Sequence, residues 1–170
     1  MTDLDVNDLQ QVVSVTVNGE VVEELVETRH LLAHFLREQA NMAGVRIGCD
    51  TTSCGACAVL LDGRAVKSCT VFAVQAHGRS VITIEGIGMG DDLHPLQAAF
   101  RQEHALQCGF CTSGFLMAAI ELLSGVSDPS ELEVREGLSG NLCRCTGYSN
   151  IVTAVLSAAK VMRRNGIGRD

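Results

Sequence analysis

Apolar and polar residues alternate from Val13 to Val17, the period of a strand with one buried face. Asn18-Gly19 follows, a dipeptide suited to the positive φ angles of a tight hairpin, and Glu20–Val22 reads as the returning strand. The period then lengthens. Leu31, Leu32, Phe35 and Leu36 share one face of a predicted helix, with Thr28 as its N-cap and Gly44 as its stop. A second hairpin spans Ala58 to Ser68 and turns at Asp62-Gly63, and a further strand runs from Val81 to Ile84. Strand pairs flanking one helix predict a small α+β domain with a mixed sheet.

After Glu85 the pattern changes. The glycine-rich, acidic stretch GIGMGDDLHP predicts a linker, and beyond it four amphipathic segments predict helices over Leu96–His104, Thr112–Leu123, Ser130–Leu138 and Asn150–Met162. The expected organisation is a flexible arm over 1–11, an α+β domain over 12–86, a linker over 87–95, an all-α domain over 96–163 and a tail over 164–170.

Composition narrows the function. With 170 residues, 46% of them hydrophobic, the chain can bury real cores. A net charge of −7 and the lack of any Lys/Arg run argue against a nucleic-acid partner. The opening MTDLDVNDLQ has no basic residue and no apolar core, so it does not read as a secretory signal and predicts a cytoplasmic chain. No apolar run approaches membrane-spanning length, and Phe115–Ile120 is stopped by Glu121, which predicts no transmembrane segment.

Eight cysteines change the picture most. A disulfide framework needs an oxidising compartment, and Cys143 and Cys145, one residue apart, would close a strained ring. Metal or cluster ligation is the better reading. Cys49, Cys54 and Cys57 have the C-x4-C-x2-C spacing of the plant-type loop that holds a 2Fe–2S cluster. Gly48 and Gly55 permit close backbone approach, and Thr51, Thr52 and Ser53 offer N–H and hydroxyl donors to sulfur. If Asp62-Gly63 forms a two-residue type I′ turn, Leu61 faces Arg64 and Cys57 faces Ser68. The fourth cysteine, Cys69, then returns next to its loop.

The second set, Cys108-x2-Cys111 and, 31 residues later, Cys143-x-Cys145, fits neither zinc-finger nor zinc-ribbon spacing. Four thiolates still suit zinc, so that ion stays open for this set. Each pair precedes a predicted helix, where unpaired N–H groups favour an anionic ligand. Two four-thiolate sites in one chain predict an electron wire.

The stretches IGCDTTSCGACAV, VITIEGI, HPLQAAF, LQCGFCTSGFLMAA and GNLCRCTGYSNI resemble the iron–sulfur small subunit of the molybdenum hydroxylases, the group that includes xanthine dehydrogenase and carbon monoxide dehydrogenase. The resemblance extends from Val13 to about Ala159. It implies a β-grasp ferredoxin-like domain followed by a four-helix domain, each with a 2Fe–2S cluster. It also implies a large molybdopterin-binding subunit that oxidises the substrate with oxygen from water, a medium FAD-binding subunit, and a dimer of heterotrimers. By the same resemblance, Cys108, Cys111, Cys143 and Cys145 hold the molybdenum-proximal cluster, and Cys49, Cys54, Cys57 and Cys69 the flavin-proximal one. Gln107 and Cys145 match positions that contact the pterin. Two departures, Ser113 for the usual proline and Ala58 for the usual threonine, replace no ligand.

Other residues read as structural. His30 and His34 lack the glutamate of a zincin motif, and Asp91, Asp92 and His94 fall in a polar linker. Tyr148 is expected to pack in the helical domain, and Phe110, Phe115 and Met117 to serve core or subunit contacts; Arg144 either tunes its cluster or anchors its loop. Two alternatives to the subunit remain: a free-standing two-cluster ferredoxin-like carrier, and a colourless zinc-stabilised scaffold.

Overall fold

The computed structural model describes residues 9–88, 90 and 92–166. Of the expected arm, residues 1–8 lie outside this range, while Gln10 and Gln11 already belong to the first strand. Of the expected tail, residues 167–170 lie outside, and Arg164 and Asn165 continue the last helix. Asp91 also lies outside the described residues.

Five strands, β1 (Gln10–Val17), β2 (Glu20–Glu27), β3 (Ala58–Leu61), β4 (Arg64–Lys67) and β5 (Ser80–Ile82), form one sheet in the order β2-β1-β5-β3-β4. β1 runs parallel to β5, and the other pairings are antiparallel, so the sheet is mixed as expected. Alternation buries Val13, Val15 and Val17 on one face, where they meet Leu32, Phe35 and Leu36 of α1 (Leu32–Glu38).

Several boundaries differ from the sequence reading. β2 continues to Glu27 rather than Val22, because an edge strand tolerates outward-facing glutamates. Thr28 donates its backbone N–H to Leu9 and still belongs to the strand pairing, so Leu31 caps α1 instead. The helix ends at Glu38, well before Gly44, and Asn41 at φ 57° turns the chain away.

The second half contains α2 (Pro95–Gln102), α3 (Thr112–Gly125), α4 (Glu131–Gly137) and α5 (Ser149–Asn165) around Leu96, Phe100, Phe115, Val134, Ile151 and Val155. Ser130 and Glu133 form a reciprocal capping box at α4. His94, expected in a solvated loop, is instead a half-buried N-cap: its Nδ1 accepts the Leu96 N–H at 3.2 Å, and its own N–H donates to Gln97 Oε1 at 2.9 Å. Pro95 at the first helical turn reinforces that start.

α3 packs across β3, with Met117 buried against Ala58 and Leu60. The approach is close enough that a Cβ on Gly114 would strike the Gly55 carbonyl oxygen and stand 2.9 Å from Ala56 Cα. This contact brings the two cysteine-bearing regions together. No helix among the described residues is long and apolar enough to cross a membrane.

Candidate metal centres

The first quartet is built by the loop between α1 and β3 and by the hairpin that follows. Cys49 Sγ accepts the Cys54 N–H at 3.4 Å, and N–H donation from Cys54, with help from the Cys54 thiol and the backbone of Thr51 and Ser53, lowers the Cys49 pKa to about 6. Such donors stabilise thiolate and are the contacts that bridging sulfurs also accept. The Thr51 and Ser53 hydroxyls, expected to face sulfur, instead pair with each other at 3.1 Å, so only their backbone does that work. Thr52 sits at φ 61°, a strained angle for a β-branched residue, and its carbonyl accepts Lys67 Nζ at 2.7 Å.

The β3–β4 hairpin pairs Leu61 with Arg64 and Ala58 with Lys67 across Asp62 (φ 48°) and Gly63 (φ 81°). The Cys57 carbonyl then accepts both the N–H of Ser68 at 3.3 Å and its hydroxyl at 2.7 Å. Cys69 comes back beside Cys57 as the turn geometry requires. Its thiol is pushed up to about 12 by burial, by a hydrogen bond with Cys57, and by the charges of Cys57, Cys49 and Cys54. All four thiols therefore act on one another.

The second quartet joins the loop before α3 to the loop before α5. Cys145 Sγ lies 3.5 Å from Cys108 Sγ, and Cys111, the N-cap of α3, hydrogen-bonds to Cys143. Burial first, then Cys143, pushes Cys111 up to about 12, whereas the Phe110 N–H holds Cys108 below its ordinary value. Desolvation raises the Cys143 thiol, but the Thr146 hydroxyl at 3.1 Å and the N–H groups of Thr146 and Cys145, each at 3.4 Å, outweigh it and leave Cys143 lowered.

Tyr148, at φ 72°, packs edge-on against Phe115 at 6.3 Å. Its hydroxyl also accepts the Cys143 N–H at 2.9 Å, a role in the site that the sequence did not suggest. Gln107 Nε2 donates to the Cys145 carbonyl at 3.1 Å, so the two positions matched to a pterin are brought together at the surface. Phe110 is exposed under the Arg46 guanidinium at 5.7 Å, Phe115 and Met117 are core, and exposed Arg144 lines the cavity beside its cysteines.

The donor chemistry fits a two-iron cluster in each quartet. The thiols pair as Cys49 with Cys54, Cys57 with Cys69, Cys108 with Cys145 and Cys111 with Cys143. Two thiolates for each of two irons is what a 2Fe–2S centre needs, whereas structural zinc asks four ligands to converge on one point. Among the described residues no group of three or more His, Cys, Asp or Glu side chains is placed to hold a single metal ion. His30 and His34 stand with ring centroids 6.0 Å apart, and His34 faces Glu38 at 3.4 Å.

The quartets adjoin. A cavity of about 430 Å³ is lined by Cys108, Cys111, Cys143 and Cys145 together with Gly48 and Cys54 of the first loop. The Leu142 N–H donates to the Cys54 carbonyl at 2.9 Å, linking the residue before Cys143 to a cysteine of the other set. Asn141, beside it, donates from its buried amide to the Gly55 carbonyl at 3.0 Å. Neither Asn141 nor Lys67 was legible as part of the site, because each acts on a loop distant in sequence.

Residues 15–79 match the family described as the 2Fe-2S iron-sulfur cluster binding domain, and residues 83–156 match the family described as the 2Fe-2S binding domain. The nicotine 6-hydroxylase small subunit of Paenarthrobacter nicotinovorans is 50% identical over 155 residues, covering 91% of this chain and 93% of that one. The crystal structure of quinoline 2-oxidoreductase from Pseudomonas putida 86 superposes with a TM-score of 0.87 at 45% identity, covering 94% of this chain and 99% of the matched one. Aldehyde oxidoreductase from Desulfovibrio desulfuricans ATCC 27774 gives a TM-score of 0.87 at 43% identity over 91% of this chain, but only 17% of its own, much longer chain. With both cluster-binding domains matched and the relatives aligned over nearly the whole chain, this protein belongs to the iron–sulfur small subunits of the molybdenum hydroxylases, the electron-transferring subunits of multi-subunit oxidoreductases.

Proposed function

We propose that Cys49, Cys54, Cys57 and Cys69 hold a flavin-proximal 2Fe–2S cluster and that Cys108, Cys111, Cys143 and Cys145 hold a molybdenum-proximal one. In this reading the chain sits in a cytoplasmic dimer of heterotrimers, between a large molybdopterin-binding subunit and a medium FAD-binding subunit. The complex oxidises a small N-heterocycle, aldehyde or carbon monoxide with oxygen from water. Bound clusters supply reversible one-electron carriers. This chain's residues supply thiolates in pairs, N–H donors that hold them, and packing that keeps the two sites adjacent.

The observation that carries the reading is the adjacency of two thiol quartets across the Leu142–Cys54 hydrogen bond. The exposed pair Gln107 and Cys145 supports pterin contact, since a Gln amide both donates and accepts. Leu106, Phe110 and Leu142, around the second quartet, are 39%, 42% and 51% exposed. Such a rim favours a docked subunit over a freely diffusing carrier. The relatives named for nicotine and quinoline favour an N-heterocyclic substrate.

Metal and flavin analysis of the complex purified through a tag on this chain tests the assignment. About four irons per chain, with molybdenum and FAD in co-purifying subunits, is the expected result. A stable monomer with both clusters and no partner supports the free-standing carrier instead.

A further inference from the structure

Asn141 is one of three buried polar side chains among the described residues and is 6% exposed. It follows α4, with its N–H donating to the Leu138 carbonyl at 3.0 Å, and its side-chain amide crosses to the first-quartet loop to donate to Gly55. The next residue, Leu142, donates to the Cys54 carbonyl. Two successive carbonyls of the Cys49–Cys57 loop are thus gripped by two successive residues of the segment that leads into Cys143. Gly55, at φ 70°, is moulded to this contact: a Cβ there would stand 2.5 Å from the Gly140 carbonyl and 2.6 Å from Asn141 Nδ2. The Gly55 carbonyl also accepts the Ala58 N–H at 3.1 Å within its own loop, so the Asn141 amide is its tie to the helical half, and losing that donor in a tight space leaves the bond across the two halves unmade or lets the loop move.

We propose that Asn141 is a positioning residue for electron transfer between the two clusters. Its amide donates to a backbone carbonyl and not to a cysteine sulfur. It fixes the Gly55–Ala56 peptide, next to the Cys54 carbonyl that accepts the Leu142 N–H, and so sets the separation and contact of the two cysteine sets. The inference rests on the proposed two-cluster relay and makes a separate claim about what holds its halves in register.

The test uses the assembled complex with Asn141→Ala and, as a milder change that keeps most of the side-chain volume and removes the donor without adding a charge, Asn141→Leu. Low-temperature electron paramagnetic resonance of the dithionite-reduced complex reports cluster occupancy and the magnetic interaction between clusters; flash photoreduction reports the rate at which an electron equilibrates between them. Full occupancy of both clusters, a weakened interaction and a rate lower by about tenfold or more, the scale of loss that follows small misplacement of oriented partners, is the expected result. Full occupancy with unchanged interaction and rate overturns the positioning role. Loss of a cluster in both variants overturns it too, and makes Asn141 a folding residue. A wild-type complex without two reducible clusters defeats the relay itself, whatever the variants do.

Discussion

The Gln107 amide donates to the Cys145 carbonyl at 3.1 Å, so a residue at the exposed rim is fastened to the backbone of a cysteine in the second quartet. An uncharged hydrogen bond of this kind contributes about 0.5–1.5 kcal/mol. Gln107→Ala is expected to retain both clusters while lowering kcat/KM of the complex about three- to tenfold, read from steady-state kinetics beside spin quantitation. Loss of the second cluster in this variant would show that the amide holds the loop rather than meets a cofactor.

Gly114 is where α3 touches the first-quartet loop. In Gly114→Ala the new methyl group meets the Gly55 carbonyl and the Ala56 Cα, both backbone, so neither side can yield by a rotamer change. Overpacking of this kind costs about 1–3 kcal/mol. Urea denaturation should show that loss, with reduced cluster content in the folded fraction.

His94 gives the helical half a pH dependence. Burial lowers its pKa below the ordinary 6.5, in keeping with a neutral ring whose Nδ1 accepts the Leu96 N–H. Between the folded and unfolded pKa values the unfolded chain binds the extra proton, so stability rises with pH there. The contribution is complete above about 6.5, falls away as pH drops below that value, and levels off below the folded pKa. His94→Asn supplies a cap that does not titrate, and its unfolding free energy should lack this component of the decline.

Lys67 holds the carbonyl of Thr52 inside the first cysteine loop. Lys67→Met removes a positive charge beside that loop and should shift the potential of its cluster downward by roughly 20–60 mV, where 59 mV is a tenfold change for one electron. Redox titration followed by electron paramagnetic resonance checks this, and the second cluster should keep its potential.

Local features of this fold were readable, and distant ones were not. The Cys57–Cys69 spacing could be decoded because Asp62-Gly63 fixes a two-residue turn and hence every pair back to Cys57. Ser130 and Glu133 likewise announce the start of α4. β2 reads short in the sequence because Glu23-Glu24 breaks its alternation, whereas an edge strand needs no alternation to stay paired. The His94 cap was legible in His-Pro-Leu-Gln, with proline at the first helical position and glutamine three residues after the cap, but the acidic residues before it suggested a loop. The placement of β5 between β1 and β3, and the grip of Asn141 on Gly55, join segments far apart in the chain and carry no local pattern.

The most direct test is spin quantitation by low-temperature electron paramagnetic resonance on the dithionite-reduced complex. Two distinct signals adding to about two spins per chain, one unpaired electron for each reduced 2Fe–2S centre, are the predicted result. One spin would leave the second set of cysteines to another metal, and colourless, folded protein without a signal would contradict the electron-transfer account outright.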